Sequence, residues 1–355
     1  MSDTAPEEKP KPTEKPKRSR KRFILLALLT LGLASIPAIL ILEIGIRIAL
    51  PHYNPNRQVA YFVAKDGTPL GPTNKTVIQR TPKGDYNVEI TFNELGIRDD
   101  KLIGDATAND WITLGDSFTH GHGVEEHERY GNVTAELLQT NVYNLAIPTD
   151  MRGYQKLMDY GLRHGAVISN LVIGICMEND LLDYSLPVPE TAPSLGPIRK
   201  LRRIFKQNSA LYLFLSIELQ RRAAIRKLLE SVGIARRVDH PDLFLRNDLS
   251  DEAMQSCIDR LEPLIAEVRH AIFVIIPSRG LWMGNNREKE RSIHESFVER
   301  LRELSPHVVD LRSVMEKNGP ALDNYFKTDP HWNATGHKLA GEELATKILY
   351  LSEGP

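Results

Sequence analysis

Ser117 stands in the string Leu114-Gly115-Asp116-Ser117-Phe118-Thr119-His120-Gly121, directly behind the apolar run Trp111–Leu114. A serine hydroxyl attacks a carbonyl carbon only when a base takes its proton, and the base needs a third group to hold its tautomer. Near the other end of the chain, Thr328-Asp329-Pro330-His331-Trp332-Asn333 offers both from one short turn, so their relative geometry is fixed locally. A third string, Gly174-Ile175-Cys176-Met177-Glu178-Asn179-Asp180, follows the apolar run Leu171–Cys176. The Asn179 amide can donate to the oxyanion that forms on attack. Together these residues point to acyl transfer through a serine ester.

Other groups compete for attention. His120, His122 and His127 cluster as metal ligands do, but in a glycine-rich loop without a matching carboxylate set. They are expected to line the pocket or face solvent, and no metal or cofactor is expected. Asp180 and Asp183 could imitate the carboxylate pair of a glycosidase; capping and solvating the loop after Asn179 is the better reading. His337 lies outside the Asp-x-His pair and is read as structural or exposed. The two cysteines, Cys176 and Cys257, lack metal-ligand spacing and are read as buried thiols, with a single bridge left open in an oxidising compartment. A formal net charge of −1 gives no reason to expect nucleic acid.

The elements that must position these groups alternate. Apolar β-runs at Trp111–Leu114, Val142–Ile147, Leu171–Cys176, Ala271–Ile276 and Val308–Leu311 are separated by helical periodicity at Glu128–Leu138, Gln155–Leu162, Glu252–Val268 and Glu290–Leu304. That alternation predicts an α/β fold, a three-layer sandwich around a parallel sheet of about five strands. In such a sheet ligands bind at the carboxyl ends of strands, where Ser117 and Asn179 stand. Residues 105–355 are expected to form this domain, interrupted at about 185–250 by a helical insertion. Between Arg199 and Arg237 the insertion holds eleven Lys/Arg against only Glu218 and Glu230, around the apolar stretch Ala210–Leu215. Residues 51–104 carry turn signals and short alternating runs such as Asn87–Phe92, expected as a linker and β-hairpin lead-in.

Ahead of this lies Phe23–Leu42, twenty uncharged and strongly apolar residues. At about 1.5 Å per residue the run spans about 30 Å, the hydrocarbon thickness of a bilayer. A cleaved signal would have a shorter apolar core and a small-x-small site, so 23–50 is read as one uncleaved transmembrane anchor. Eight Lys/Arg between Lys9 and Arg22 place the N-terminus in the cytoplasm and the rest outside it, in the periplasm of a two-membrane bacterium. Residues 1–22 have almost nothing apolar to bury and are expected to be a disordered tail. Glu43 and Arg47, four apart at the exit, are placed to pair.

The ordered blocks resemble the SGNH hydrolase superfamily from about Asn93 to Leu349, including the lead-in Asn93-Glu94-Leu95-Gly96-Ile97-Arg98 seen before the serine block of membrane-anchored members. The resemblance implies Ser117 as nucleophile, His331 as general base, Asp329 as its orienter and Asn179 as oxyanion donor. Two departures stand out. The second block is Asn144-Leu145-Ala146-Ile147-Pro148-Thr149, with Thr149 where the family has a glycine whose N–H serves as second oxyanion donor. A β-branched residue is poor at positive φ. The Asp and His are two apart rather than three, as in a branch associated with O-acetylation of exported polysaccharides. The resemblance implies an extracytoplasmic serine esterase or O-acyltransferase acting on acyl esters of cell-envelope glycans or lipids, a transferase where a multi-spanning acyl-donor protein feeds it. The alternative is a non-catalytic binding or assembly module for exported polysaccharide that kept the fold.

Overall fold

The computed structural model describes residues 20–81, 84–186, 197–231 and 249–353. The expected tail at 1–22 thus falls almost wholly outside the described residues, as do parts of the insertion.

Helix α1 (Arg20–Ala49) contains the whole apolar run and is long and apolar enough to cross a membrane. Two antiparallel hairpins follow: β1 (Phe62–Val63) with β2 (Pro69–Leu70), and β3 (Lys75–Arg80) with β4 (Asn87–Phe92). Along β4 exposed and buried residues alternate strictly, because successive side chains leave a strand on opposite faces. The main domain then runs β5 (Trp111–Leu114), α2 (Ser117–His120), α3 (Tyr130–Leu138), β6 (Val142–Asn144), α4 (Met151–Arg163) and β7 (Asn170–Cys176). The insertion supplies α5 (Pro197–Asn208), α6 (Ala210–Arg221) and α7 (Ala223–Ser231). The chain closes with α8 (Asp251–Ile265), β8 (His270–Ile276), α9 (Arg287–Leu304), β9 (Val308–Asp310), α10 (Leu311–Lys317) and α11 (Ala334–Glu353).

Five strands form one parallel sheet in the order β6-β5-β7-β8-β9. Period-two alternation assigns each strand's residues to one of two cores. Ile112, Leu114, Leu171, Ile173, Ile175, Phe273 and Ile275 face α4, α8 and α9, through residues such as Tyr154, Leu157, Cys257 and Phe297. Trp111, Val172, Cys176, Ile272, Val274 and Ile276 face the other way, onto Tyr130, Leu311, Met315, Leu344 and Trp332. The two cysteines therefore sit on opposite sides of the sheet, each a free thiol, and the bridge left open by the sequence does not form.

The lead-in shares the first of these cores: Leu70, Val77, Tyr86, Val88, Ile90, Phe92 and Ile97 pack into it. Arg98, fully buried, does most to fasten it. Its guanidinium donates to the carbonyls of His120 (3.1 Å) and Val124 (2.7 Å), and also to that of Gly121. Its own carbonyl accepts from Arg129 Nη1 at 2.7 Å and from Asn144 Nδ2 at 3.0 Å. Asp99 beside it accepts the Asn144 backbone N–H at 2.6 Å. The lead-in motif thus pins both the loop after Ser117 and the second block.

The apolar stretch Ala210–Leu215 does not end on a free surface. Ala210, Leu213 and Ile217 of α6 bury themselves against Ile46 and Tyr53 at the end of α1.

Replacing Arg98 with Met keeps the volume but strands three carbonyls that no water reaches. Each buried acceptor left unmet costs about 1–3 kcal/mol, so the variant should lose about 3 kcal/mol or more. In a chain of this size that is a fall of roughly 10 °C in the unfolding midpoint, measurable in detergent by differential scanning fluorimetry. An unchanged midpoint would show that the loop holds without the clamp.

Candidate active site

Ser117 is the first residue of the single-turn helix α2, three residues beyond the end of β5. Asp116 caps that turn: its side chain accepts the Phe118 N–H at 2.9 Å. The chain leaves the turn at Gly121, φ +83°, where a side chain would be strained and would press on Arg98 and Arg129. A Cβ on Gly115 would likewise collide with Thr119. These constraints put the serine at the carboxyl edge of the sheet, where strand order reverses around β5 and neighbouring crevices open.

His331 reaches the serine from a loop closed by its own backbone. The Phe326 N–H donates to the His331 carbonyl at 3.0 Å, and a bridge pairs Tyr325 with Trp332. Trp332, fully buried, stands edge-on to Phe118 at 5.2 Å, which keys this loop against α2. The Ser117 Oγ lies 2.8 Å from His331 Nε2, and His331 Nδ1 lies 2.6 Å from Asp329 Oδ1. With Nδ1–H donating to the carboxylate, Nε2 is left to accept the serine proton. Burial alone would raise the Asp329 pKa, but the hydrogen bond and charge of His331 outweigh it and hold it at about 2.

The second oxygen of Asp329 belongs to Tyr86, which the sequence did not single out, backed by His122, which was expected to line the pocket or face solvent. Tyr86 Oη donates to Asp329 Oδ2 at 3.2 Å and lies 2.6 Å from His122 Nε2. The direction of this chain can be worked out. Gln79 Oε1 accepts the Gly123 N–H at 2.8 Å, so its Nε2 faces His122 Nδ1 at 2.8 Å and donates. His122 therefore carries its proton on Nε2 and passes it toward Tyr86, whose own proton is free for Asp329. Burial, then the charge of His331, pushes His122 down to about 3, which keeps it neutral. Burial and the Asp329 carboxylate push the Tyr86 phenol far up, which keeps it a donor. The His122 ring also stacks on that of His331, centroids 4.0 Å apart. From the turn before β4, Asp85 Oδ2 accepts the Thr328 N–H at 2.9 Å and steadies the loop from below. The signal for these residues was the lead-in itself, whose hairpin turn carries Gly84, Asp85 and Tyr86.

His122, Asp329 and His331 are close enough together to be read as metal ligands. Their ring nitrogens and carboxylate oxygens are instead engaged with one another, Gln79, Tyr86 and Ser117. The other histidines go elsewhere. His120 is fully buried between the Ala146 carbonyl (3.1 Å) and Tyr61 Oη (2.9 Å), and His127 is exposed. His337 is fully buried near Tyr130 and Trp332.

Asn179 stands after β7 with Nδ2 donating to Asp116 Oδ2 at 3.1 Å, beside the serine, and its second amide proton is still available. Thr149 lies in the loop before α4. Among the described residues only Asn74 and Gln139 combine a side chain with positive φ, so Thr149 is unstrained. No hydrogen bond among the described residues joins it to Ser117 or Asn179. Asp180 and Asp183 do not form a carboxylate pair. Asp180 is fully buried, accepting from Tyr154 Oη and the Cys176 N–H at 2.8 Å each, while Asp183 accepts the Ser185 N–H at 3.0 Å.

Residues 252–354 match the family model described as SGNH hydrolase-like domain, acetyltransferase AlgX, a stretch that holds Asp329 and His331 but begins after Ser117. No curated protein matches the sequence. Among solved structures, a lipase/acylhydrolase from Enterococcus faecalis is similar over 67% of this chain and 94% of its own, at 11% identity and a TM-score of 0.40. A member of the lipolytic G-D-S-L family from Veillonella parvula is similar over 67% and 96%, at 12% identity and a TM-score of 0.37. For an acetyl xylan esterase from Geobacillus stearothermophilus the shares are 67% and 94%, the identity 10% and the TM-score 0.35. Likenesses this loose decide nothing about chemistry. The family match covers the last two strands of the sheet and the turn that holds Asp329 and His331, so it is this C-terminal part of the chain that is similar to an SGNH hydrolase-like domain.

Proposed function

We propose that this protein is a membrane-anchored, extracytoplasmic serine O-acyltransferase or esterase that moves short acyl groups on cell-envelope glycans or lipids. The observation that carries this reading is the unbroken hydrogen-bond chain Ser117–His331–Asp329. The name of the matched family model favours acetyl transfer to a glycan over simple hydrolysis.

In the first half-reaction His331 Nε2 takes the Ser117 proton as Oγ forms a bond to the carbonyl carbon of an acyl donor. Asp329 stabilises the imidazolium and stays ionised. The oxyanion is received by the second Asn179 amide proton and the Ser117 backbone N–H, each good donor worth roughly 3–4 kcal/mol. His331 then returns its proton to the leaving alcohol. In the second half-reaction His331 takes a proton from the acceptor hydroxyl as its oxygen bonds to the acyl carbon, then gives that proton to Ser117 Oγ as the acyl–serine bond breaks and the new ester leaves. A sugar hydroxyl gives transfer and water gives hydrolysis. A multi-spanning partner that supplies acyl groups across the membrane fits this scheme, with α1 keeping the site near it. The competing reading is a non-catalytic module for exported polysaccharide, and a serine that reacts with nothing would favour it.

Ser117→Ala should abolish labelling by a fluorophosphonate probe at full folding. His331→Ala should cost nearly as much activity on aryl acetates, and the double variant little more, because such groups act as a unit. Equal labelling of wild type and Ser117→Ala would end the assignment. Losses that multiply would place His331 in some other role.

Tyr86→Phe removes the donor on Asp329 Oδ2 while sparing the serine and histidine. A hydrogen bond to the charged form lowers a pKa, so its loss raises that of Asp329 from its present value of about 2. With one donor lost the carboxylate holds the imidazole less firmly, so kcat at neutral pH should fall about tenfold, or about 1.4 kcal/mol. An unchanged kcat would mean that Tyr86 only packs.

The topology has its own check. A reporter that works only outside the cytoplasm should be active when fused after Pro355, and the intact chain should stay in membranes after carbonate washing. A soluble protein starting near residue 39 would show instead that the apolar run is a cleaved signal.

A further inference from the structure

No hydrogen bond among the described residues joins α5, α6 or α7 to Ser117, His331 or Asp329. α5 and α6 hold the exit end of α1. Glu43 directly follows the uncharged run, where an unpaired carboxylate would be costly. Its oxygens accept from Ser209 Oγ (2.8 Å), the Ala210 N–H (2.8 Å), the Leu211 N–H (2.9 Å) and Arg47 Nε (2.7 Å). Glu43 thus caps α6 from a different helix, meeting orphan N–H groups and the positive end of the helix dipole. Arg47 Nη2 in turn donates to the Asn208 carbonyl at 2.7 Å, where α5 ends. One ion pair on α1 therefore fastens the whole α5–α6 corner. Tyr53 adds an edge-on contact to Phe214 at 5.1 Å.

α5 carries what such a clamp would be for. Leu201, Ile204 and Phe205 lie at i, i+3 and i+4, on one face of the helix, and are 55%, 48% and 48% exposed. Around them the α5 sequence holds Arg199, Lys200, Arg202, Arg203 and Lys206 and no acidic residue. A short basic helix with an exposed apolar stripe and an aromatic ring is the pattern of a helix that lies in a membrane interface. The open side of α1 also stays apolar past Glu43, with Ile44 and Ile48 exposed, so the apolar surface of the anchor continues to the level of the clamp.

We propose that α5 is a second membrane contact. Its Leu201–Ile204–Phe205 face beds among the headgroups of the leaflet from which α1 emerges, Lys200 and Lys206 pair with anionic lipid, and the Glu43–Arg47 clamp keeps it there. The proposal rests on reading α1 as a retained anchor. A single spanning helix leaves a domain free to swivel, whereas two fixed points set the height and tilt of the Ser117 crevice above the bilayer.

The test uses the full chain in nanodiscs of phosphatidylcholine with or without phosphatidylglycerol. Both native cysteines are buried, so a cysteine introduced as Phe205→Cys takes an environment-sensitive fluorophore alone; Leu40→Cys in α1 serves as the reference. With nitroxide lipids present, both labels should lose most of their emission. At position 205 the loss should need phosphatidylglycerol, weaken with salt, and vanish when Glu43→Ala is added, while position 40 stays quenched. A label quenched at 40 but not at 205 overturns the second contact. Quenching at 205 that survives Glu43→Ala overturns the clamp. Quenching at neither position overturns the anchor reading, and this proposal with it. A label at 205 that ignores lipid but shifts with an acidic polysaccharide makes the face a glycan surface and overturns the membrane assignment.

Discussion

Asp329 is a carboxylate held largely out of water, and a buried charge persists only where its oxygens find donors. One oxygen takes His331 Nδ1 and the His331 backbone N–H; the other takes Tyr86 Oη. Much of the architecture follows from supplying that second donor. Tyr86 must arrive with its proton free, which needs His122 as the neutral Nε2–H tautomer. That in turn needs Gln79 turned amide-nitrogen first, which the Gly123 N–H enforces. The network therefore runs from the hairpin through the loop after the serine and back to the carboxylate. Each member is oriented by the next, and a fully satisfied chain of this kind is more rigid than its separate bonds.

This dependence explains why the lead-in lies in the main core. A serine-based acyl-transfer site needs a nucleophile, a base and an orienter, and the sheet with its C-terminal loop already brings three such groups together. Here the hairpin adds the outer support, and Arg98 and Asp99 lock it to the serine loop and to Asn144. A carboxylate and histidine two residues apart share one tight turn, in which the His331 N–H also bonds back to Asp329. So compact a turn can present its other carboxylate edge to a second element, and the hairpin meets it there.

The strands were legible because β-runs of four to seven apolar residues have no other stable reading between amphipathic helices: Trp111–Leu114 and the strands ending at Cys176 and Ile276 stand where the pattern puts them. Ser117, His331 and Asp329 were legible because strand ends and a local Asp-x-His turn carry their own geometry. Tyr86 and Gln79 were not. Their roles depend on a contact between elements far apart in sequence, and a tyrosine after a Gly-Asp turn looks like any hairpin residue. Thr149 was misjudged in its backbone for a related reason. The family's glycine suggested positive φ, yet the chain passes this point in an ordinary conformation that a β-branched residue tolerates.

The basic insertion places its apolar stretch where the sequence alone could not. An apolar stretch among cations does suit a membrane surface, but Ala210–Leu215 spends much of its apolar area on Ile46 and Tyr53. Helices α5 and α6 divide the work that the sequence lumps together: α6 packs, and α5 stays exposed. The division follows from the cap. A helix whose first N–H groups are met by Glu43 must begin at the exit end of α1, and its apolar side then has α1 to pack against. The preceding helix ends at the same point, with its last carbonyl held by Arg47, and finds that side of α1 already taken. Its apolar stripe is left facing outward beside the end of α1.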